Sequence, residues 1–147
     1  LGYILFEHNC LIAIDNDHQH VGAGRIGELP EVQSAYEFLS NLKKSFKTDC
    51  IRYSSVHNKK IKTVALCGGA GSNLLAQAKI CGADIYISSD FKYHEFFDAE
   101  DKIIIADIGH YESEQYTIGL FGDFLRKKFP KFAIHLSKIN TNPINYL

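Results

Sequence analysis

The stretch TVALCGGAGS, residues 63–72, joins a short apolar run to a glycine-rich turn that ends at a serine. The apolar run predicts a buried strand, and Ser72 is a suitable N-cap for a helix over residues 72–81. The apolar runs DIYISS (84–89) and KIIIAD (102–107) follow the same pattern. Strands and helices that alternate in this way predict an α/β fold, with a mainly parallel sheet flanked by helices on both faces.

The flanks of this region predict further elements. Apolar residues recur every three or four positions from Val32 to Phe46, which predicts a helix with Pro30 just before its first turn. A short helix is expected over residues 93–100, and a long one over residues 112–129. The expected inward face of the long helix consists of Ile118, Phe121, Leu125 and Phe129. Short strands are expected at YILF, CLIAID, IRYS and FAIHLS, the last of which (132–137) would close the sheet.

Length and composition set the class of protein. The chain has 147 residues and a formal net charge of −1, so it is long enough for one domain and has no basic surface typical of nucleic-acid binding. Its apolar runs are too short to span a bilayer, and its first residues lack the features of a secretory signal. The four cysteines (Cys10, Cys50, Cys67 and Cys81) form no C-x-x-C pair, which is typical of reduced thiols in a cytoplasmic protein. Because there is no methionine, we expect the chain to be a piece of a longer one.

Three loops are the candidate site, because ligands of such sheets bind at the carboxyl ends of the strands. The sharpest motif is DIGHYESE (107–114), in which Glu114 follows His110 by four residues, the length of one helical turn. An imidazole and a carboxylate are suitable ligands for zinc, manganese or iron, although two ligands do not complete a site. By the residues alone, a simple surface hydrogen bond between His110 and Glu114 is the favoured alternative.

The other two loops carry weaker signals. In SSDFKYH (88–94), Asp90 and His94 could support a metal site or transfer protons, while Asp90 could equally be the N-cap of a helix. In CGGAGS, the amides of Gly68, Gly69 and Gly71 could bind an anion, or the glycines could serve only a tight turn.

Two motifs near the beginning of the chain are interpreted as loops rather than as cofactor or metal sites. GAGRIG (22–27) matches the dinucleotide-binding pattern in letters, but polar residues precede it where a strand is required. We interpret it as a glycine-shaped loop that carries Arg25 toward an anion or a subunit partner. The cluster of Asp15, Asp17, His18 and His20 is interpreted as a solvated loop rather than a second metal site.

Four motifs in order resemble one known family: GAGRIGELPE, VALCGGAGSNLL, GADIYISSDFKYHEFFDAE and IIIADIGHYESEQ. They are similar to the C-terminal half of the Nif-three-like proteins, whose members often carry the name GTP cyclohydrolase I type 2. The tail TNPINY is similar to the Bacteroidetes members. One departure is Ser88-Ser89, where the family usually has Thr-Gly.

The resemblance implies a role for each matching residue. His110 and Glu114 match two metal ligands in the family's G-H-x-x-x-E motif, and His94 matches a histidine close to the metals. The family implies two divalent metal ions (Zn, Mn or Fe), with the remaining ligands in an N-terminal half, and a toroidal homo-hexamer. Residues 1–20 would then be the end of a ferredoxin-like inserted domain and a linker, and residues 21–147 the C-terminal α/β domain.

Two functions are compatible with these expectations. In the first, the full-length protein is a cytoplasmic metal-dependent hydrolase that acts on a small anionic or nucleotide substrate. His110 and Glu114 would bind metal, His94 and Asp90 would orient groups or transfer protons, and Arg25 with the glycine amides would bind the anion. In the second, the protein is a metal-binding, ring-forming assembly or regulatory protein without turnover. Neither function involves nucleic acid or a membrane, and we expect this chain alone to be inactive and a weak metal binder.

Overall fold

One six-stranded sheet organises the chain. The computed structural model describes residues 11–13 and 22–147. The strands lie in the order β1-β2-β4-β5-β6-β3 across the sheet. Their bounds are β1 Leu11–Ala13, β2 Arg25–Ser34, β3 Arg52–Tyr53, β4 Lys60–Ala70, β5 Ile85–Ser89 and β6 Ile104–Asp107.

The centre of the sheet is parallel, as the alternating pattern predicts. Strand β4 pairs in parallel with β5, and β5 pairs in parallel with β6. Strands β2 and β3 are antiparallel to the neighbours beside them, and β1 is antiparallel to β2. The sheet is therefore mixed, with β1, β4, β5 and β6 running in one direction.

Helices cover both faces of the sheet, which confirms the predicted α/β class. Their bounds are α1 Ala35–Phe46, α2 Leu75–Ile80, α3 His110–Glu114 and α4 Thr117–Lys128. Two 3₁₀ segments, Ser72–Leu74 and Tyr93–Ala99, follow β4 and β5. One core packs α1 against alternate residues of the central strands, such as Ile85 and Ile104, and the opposite core packs α2 against the residues between them, such as Tyr86 and Ile105.

Helix α1 forms where the periodicity predicts it, but it begins later. Ser34 is the N-cap, and its hydroxyl accepts a hydrogen bond from the Glu37 amide at 3.2 Å. The expectation that Pro30 precedes the first turn was wrong, because Arg25–Ser34 is strand β2 and Val32 is exposed on it. The interpretation of GAGRIG as a loop is likewise corrected, since Arg25, Ile26 and Gly27 pair with β4.

The predicted long helix over residues 112–129 is in fact two helices. Gln115 and Tyr116 lie between α3 and α4 and donate side-chain hydrogen bonds, each of 2.7 Å, to the carbonyls of Phe46 and Ser45 at the end of α1. These bonds fix the turn between the helices. The predicted inward face is also wrong: Leu125 is half-buried, while Ile118, Phe121 and Phe129 are exposed.

The predicted closing strand FAIHLS (132–137) is absent, because β3 already occupies the edge of the sheet beside β6. Residues 130–147 instead run over α3 and α4 without regular structure. We call residues 137–144 the tail segment. Among the described residues, no helix is long and apolar enough to cross a membrane.

The start of the chain is described only in part. Residues 11–13 of the predicted strand CLIAID form β1 and pair with β2. The predicted strand YILF and the loop with Asp15, Asp17, His18 and His20 lie outside the described residues. The domain boundary at residue 20 stays a prediction.

Candidate metal centre

The three candidate loops meet at the carboxyl edge of the parallel strands, as the order of elements predicts. His110 and Glu114 begin and end α3, directly after β6. The Nε2 atom of His110 lies 3.5 Å from Glu114 Oε2, and both side chains are about half exposed, at 47% and 49%. Ligand atoms on one tetrahedral zinc lie roughly 3.4 Å apart, given bond lengths of about 2.0–2.2 Å. The pair therefore has the spacing of two ligands on one ion.

Asp90, from the loop after β5, holds the other side of the His110 ring. Its Oδ2 lies 2.6 Å from His110 Nδ1. An ionised carboxylate can only accept, so Nδ1 carries the hydrogen, and the neutral ring then presents a lone pair at Nε2. Asp90 reaches this position from a left-handed backbone, with φ of 60°. The hydrogen bond that His110 donates to Asp90 also raises the pKa of His110, partial burial opposes that rise, and the charges of Asp90 and Glu114 add to it.

This arrangement places two acceptors opposite each other. The lone pair of neutral His110 Nε2 faces the carboxylate of Glu114 across 3.5 Å. A cation or a proton between them removes the repulsion. The donor set thus fits a divalent metal ion, although it supplies only two ligands. Within residues 22–147, no group of three or more His, Cys, Asp and Glu side chains is placed to hold an ion.

Gly69 keeps the space beside the pair open. It lies near the end of β4 with φ of +65°, a conformation that glycine adopts at little cost. A Cβ atom at this position would be 2.7 Å from Glu114 Oε1 and 3.3 Å from His110 Nε2. Any larger residue would displace Glu114 or occupy the site of an ion.

Ser113 ties α3 to this glycine loop. Its hydroxyl accepts a hydrogen bond of 2.8 Å from the Gly69 amide and donates one of 2.8 Å to the His110 carbonyl. The hydroxyl of Ser88 donates to the Gly69 carbonyl at 3.0 Å. From the sequence, the Gly69 amide is expected to bind an anion. In the structure this amide donates its hydrogen to Ser113 instead. The anion-binding roles of Gly68 and Gly71 stay predictions.

Asp107 joins the second and third loops and was missed in the sequence analysis. It is buried at the end of β6, where it accepts hydrogen bonds of 3.1 Å from the amides of Phe91 and Gly109. Its carboxylate also forms an ion pair with Arg52 of β3. The position of an aspartate two residues before a glycine at a strand end could have indicated such a turn.

Two further predicted site residues lie on elements that reach the same edge of the sheet. His94 is exposed on the 3₁₀ segment after β5, and none of its described contacts joins it to His110 or Glu114. Arg25 lies opposite Leu66 near the same edge of the sheet, and its guanidinium donates to the Gly24 carbonyl. Ser72 is not an N-cap as predicted, since its hydroxyl donates to Glu95 Oε1 at 3.1 Å instead.

The thiol nearest to the glycine loop is buried. Among the described cysteines, Cys67 is buried, whereas Cys50 and Cys81 are exposed, and all three are free. Burial raises the pKa of Cys67, which disfavours the thiolate that would bind a metal. Burial likewise raises the pKa of Tyr86, whose hydroxyl donates to the Gly71 carbonyl at 2.7 Å. These groups serve packing under the loop.

Comparison with known proteins identifies the family. The Duf34/NIF3 (NGG1p interacting factor 3) family model matches residues 6–143. The chain belongs to this family. A Staphylococcus epidermidis protein named GTP cyclohydrolase 1 type 2 homolog is 33% identical over 135 residues, which cover 89% of this chain and 37% of that protein.

Solved NIF3 structures share the fold. A Bacillus cereus protein related to NIF3 has a TM-score of 0.73 and 30% identity, covering 86% of this chain and 36% of that one. A Staphylococcus aureus protein has a TM-score of 0.75 and 27% identity, covering 86% and 42%. The chain therefore spans well under two-thirds of the length of these relatives.

Proposed function

We propose that this NIF3-family chain contributes His110 and Glu114 to a divalent metal centre. In the full-length protein, that centre belongs to a metal-dependent hydrolase that acts on a small anionic or nucleotide substrate. The observation that carries the proposal is the 3.5 Å spacing of His110 Nε2 and Glu114 Oε2, with Asp90 bonded to the opposite ring nitrogen. A surface hydrogen bond, the simpler interpretation, requires neither Asp90 nor the open space at Gly69.

Each residue of the centre has a distinct task. His110 and Glu114 hold the ion, Asp90 fixes the ring so that Nε2 points to it, and Gly69 leaves room beside it. A divalent ion held there supplies Lewis-acid activation of water and of the substrate. His94 and Asp90 are the candidates for moving protons, and Arg25, Gly68 and Gly71 for contacting the anion.

The remaining ligands and the second ion are proposed to come from parts of the longer protein that this chain does not contain. Two protein ligands leave a divalent ion under-coordinated, because structural and catalytic zinc sites use three or four. The chain spans 37% of the Staphylococcus epidermidis relative, so most of that length lies elsewhere. We place the full-length protein in the cytoplasm as a ring-shaped homo-hexamer.

The second candidate function is a metal-binding assembly or regulatory protein without turnover. The exposed apolar side chains of α4 favour it, since large apolar patches on a surface are typical of protein contacts. They include Ile118, Leu120, Phe121 and Phe124.

Activity of the full-length protein tests the proposal. The protein is loaded with Zn²⁺, Mn²⁺ or Fe²⁺ and assayed against a panel of phosphorylated and nucleotide substrates. We expect turnover that the His110→Ala variant loses, together with its metal. Metal retained without turnover on any substrate would support the assembly protein instead. Equal metal content in wild type and His110→Ala would contradict both.

A further inference from the structure

A large cavity opens beside the His110–Glu114 pair. Its volume is about 810 Å³, with α3 and the beginning of α4 on one side and the tail segment on the other. Pockets that bind small molecules have volumes of roughly 300–1,000 Å³. The cavity is therefore large enough for one substrate-sized molecule next to the proposed metal ligands.

Two contacts hold the tail segment in place, one just before it and one within it. Leu136 packs on Gly122 of α4, where a Cβ atom would lie 2.8 Å from Leu136 Cδ2. Within the segment, Asn142 Nδ2 donates a 3.0 Å hydrogen bond to Oε1 of Glu112, which is only 5% exposed. The residues between these contacts lie across the cavity from α3.

Local hydrogen bonds shape the tail segment itself. The Ser137 hydroxyl accepts from the Ile139 amide at 3.3 Å, and Asn140 Oδ1 accepts from the Asn142 amide at 2.9 Å. Asn142 Oδ1 accepts from the Ile144 amide at 3.1 Å. Such bonds from a side chain to the backbone two residues on fix irregular turns without a helix or a sheet. The shape of the tail segment is thus determined by its own sequence, SKINTNPI.

The charge of the wall indicates what it binds. Lys138 is the one Lys or Arg among the described residues that line the cavity. Within residues 22–147, Lys138 forms no ion pair with a carboxylate. Asn140 and Thr141 add hydrogen-bonding groups beside it, and Ile118 and Ile139 add apolar surface. An ammonium group on a mixed polar and apolar wall suits an anion with an apolar body.

We propose that this cavity binds an organic phosphate, with the phosphate at Lys138 and the body against Ile118 and Ile139. A phosphate group carries a charge of about −1.5 to −2 and three acceptor oxygens, so it can contact Lys138 and still have oxygens for the proposed divalent ion. Asn142 is a positioning residue, because it acts by holding the tail segment against Glu112. The inference rests on the proposed function, since it names the substrate class of the same site. It also assigns the anion to a residue that the sequence motifs do not indicate.

Binding of phenyl phosphate to the metal-free, full-length protein tests this inference, with phenol and inorganic phosphate as partial ligands. Saturation-transfer NMR gives each dissociation constant. We expect Lys138→Gln to weaken the binding of phenyl phosphate by about tenfold, which corresponds to the loss of one charged contact. The binding of phenol should not change. The matched control Lys127→Gln, an exposed lysine on α4 outside the cavity, should bind as wild type does.

The anchoring role of Asn142 has its own readout. We expect Asn142→Ala to weaken the binding of phenyl phosphate. The same variant should speed hydrogen exchange in residues 137–147, while exchange in β4, β5 and β6 stays unchanged. Exchange as slow as in wild type would show that the bond to Glu112 does not hold the wall.

Metal titration separates this inference from the proposed function. If Lys138→Gln binds phenyl phosphate as tightly as wild type, or if wild type does not bind it, the phosphate site is wrong whatever the metal does. If binding depends on Lys138 but metal binding does not depend on His110, the metal centre is wrong and the phosphate site stands. Both proposals stand when Lys138→Gln loses phenyl phosphate binding but keeps metal binding, and His110→Ala loses metal binding.

Discussion

At the scale of single residues, the site depends on what surrounds one histidine. Asp90 bonds to Nδ1 of His110, Glu114 lies opposite Nε2, and the absent side chain of Gly69 leaves space beside both. Asp90 contributes a hydrogen bond, Glu114 a facing carboxylate and Gly69 open space. Removal of any one of them should therefore change metal binding in a measurable way.

Substitution of Gly69 by alanine tests the open space. Alanine at φ of +65° costs about 1 kcal/mol of stability, and its Cβ displaces Glu114. We expect Gly69→Ala to weaken Zn²⁺ binding by the full-length protein by about tenfold or more, the size of the effect when a group that supports a metal ligand is altered. Gly82→Ala is the matched control: its φ is +74° but nothing lies within 4 Å, so it should lose stability without losing metal affinity. Equal metal affinity in both variants would contradict the role of Gly69.

Substitution of Asp90 by asparagine tests the orientation of the ring. Asparagine tolerates the left-handed backbone at this position but removes the charge that fixes Nδ1–H. Residues that orient metal-binding histidines typically change affinity by about 10- to 100-fold when altered. Calorimetric titration of the full-length protein with Zn²⁺ should show a loss in this range for Asp90→Asn. The control Asp98→Asn, at an exposed carboxylate on the 3₁₀ segment after β5, should bind Zn²⁺ as tightly as the wild type does.

At the scale of elements, stability measurements test where helix α1 begins. Leu42 is 3% exposed in the core, whereas Val32 is 55% exposed on strand β2. We expect Leu42→Ala to lower the free energy of unfolding by about 2–5 kcal/mol, and Val32→Ala by less than about 1 kcal/mol. Chemical denaturation measures both. Comparable losses would mean that Val32 lies on the buried face, as the sequence periodicity predicts.

The elements that the sequence predicts well are those set by local patterns. The apolar runs at β4, β5 and β6 and the stripe of α1 each carry their own signal. The loops at their ends follow from the order of these elements, so His110, Glu114 and Asp90 could be placed together before the structure was known. His94 lies on the same connection after β5 as Asp90, but within the described residues no hydrogen bond or ion pair joins it to His110 or Glu114, because a sequence pattern places a loop and not the direction of each side chain in it.

The wrong predictions concern competition between distant segments. Residues 132–137 have a strand-like pattern, but β3, eighty residues earlier, occupies the sheet edge that they would need. The bond between Asn142 and Glu112, and the bonds of Asp107 with the Phe91 amide and with Arg52, likewise join residues that are distant in sequence. A single sequence does not specify which of two segments pairs with the edge strand of a sheet. Nor does it specify which carboxylate accepts a hydrogen bond from a residue far along the chain.

At the scale of the whole molecule, the proposed metal site requires ligands from beyond the described residues. The Staphylococcus epidermidis relative is more than twice as long as the part of it that this chain matches, and the described residues bring together two of the proposed ligands. We therefore expect this chain alone to bind Zn²⁺ or Mn²⁺ weakly, with tighter binding by the full-length protein. Titration calorimetry of both compares them directly. Tight, stoichiometric binding by this chain would mean that His110 and Glu114 need no further protein ligands.

The central claim is that His110 and Glu114 bind one divalent ion together. Crystals of the full-length protein soaked in Mn²⁺ or Zn²⁺ test it through anomalous scattering. The account predicts an anomalous peak roughly 2.0–2.2 Å from both His110 Nε2 and a Glu114 carboxylate oxygen. Strong peaks elsewhere, with none between these two side chains, would contradict it.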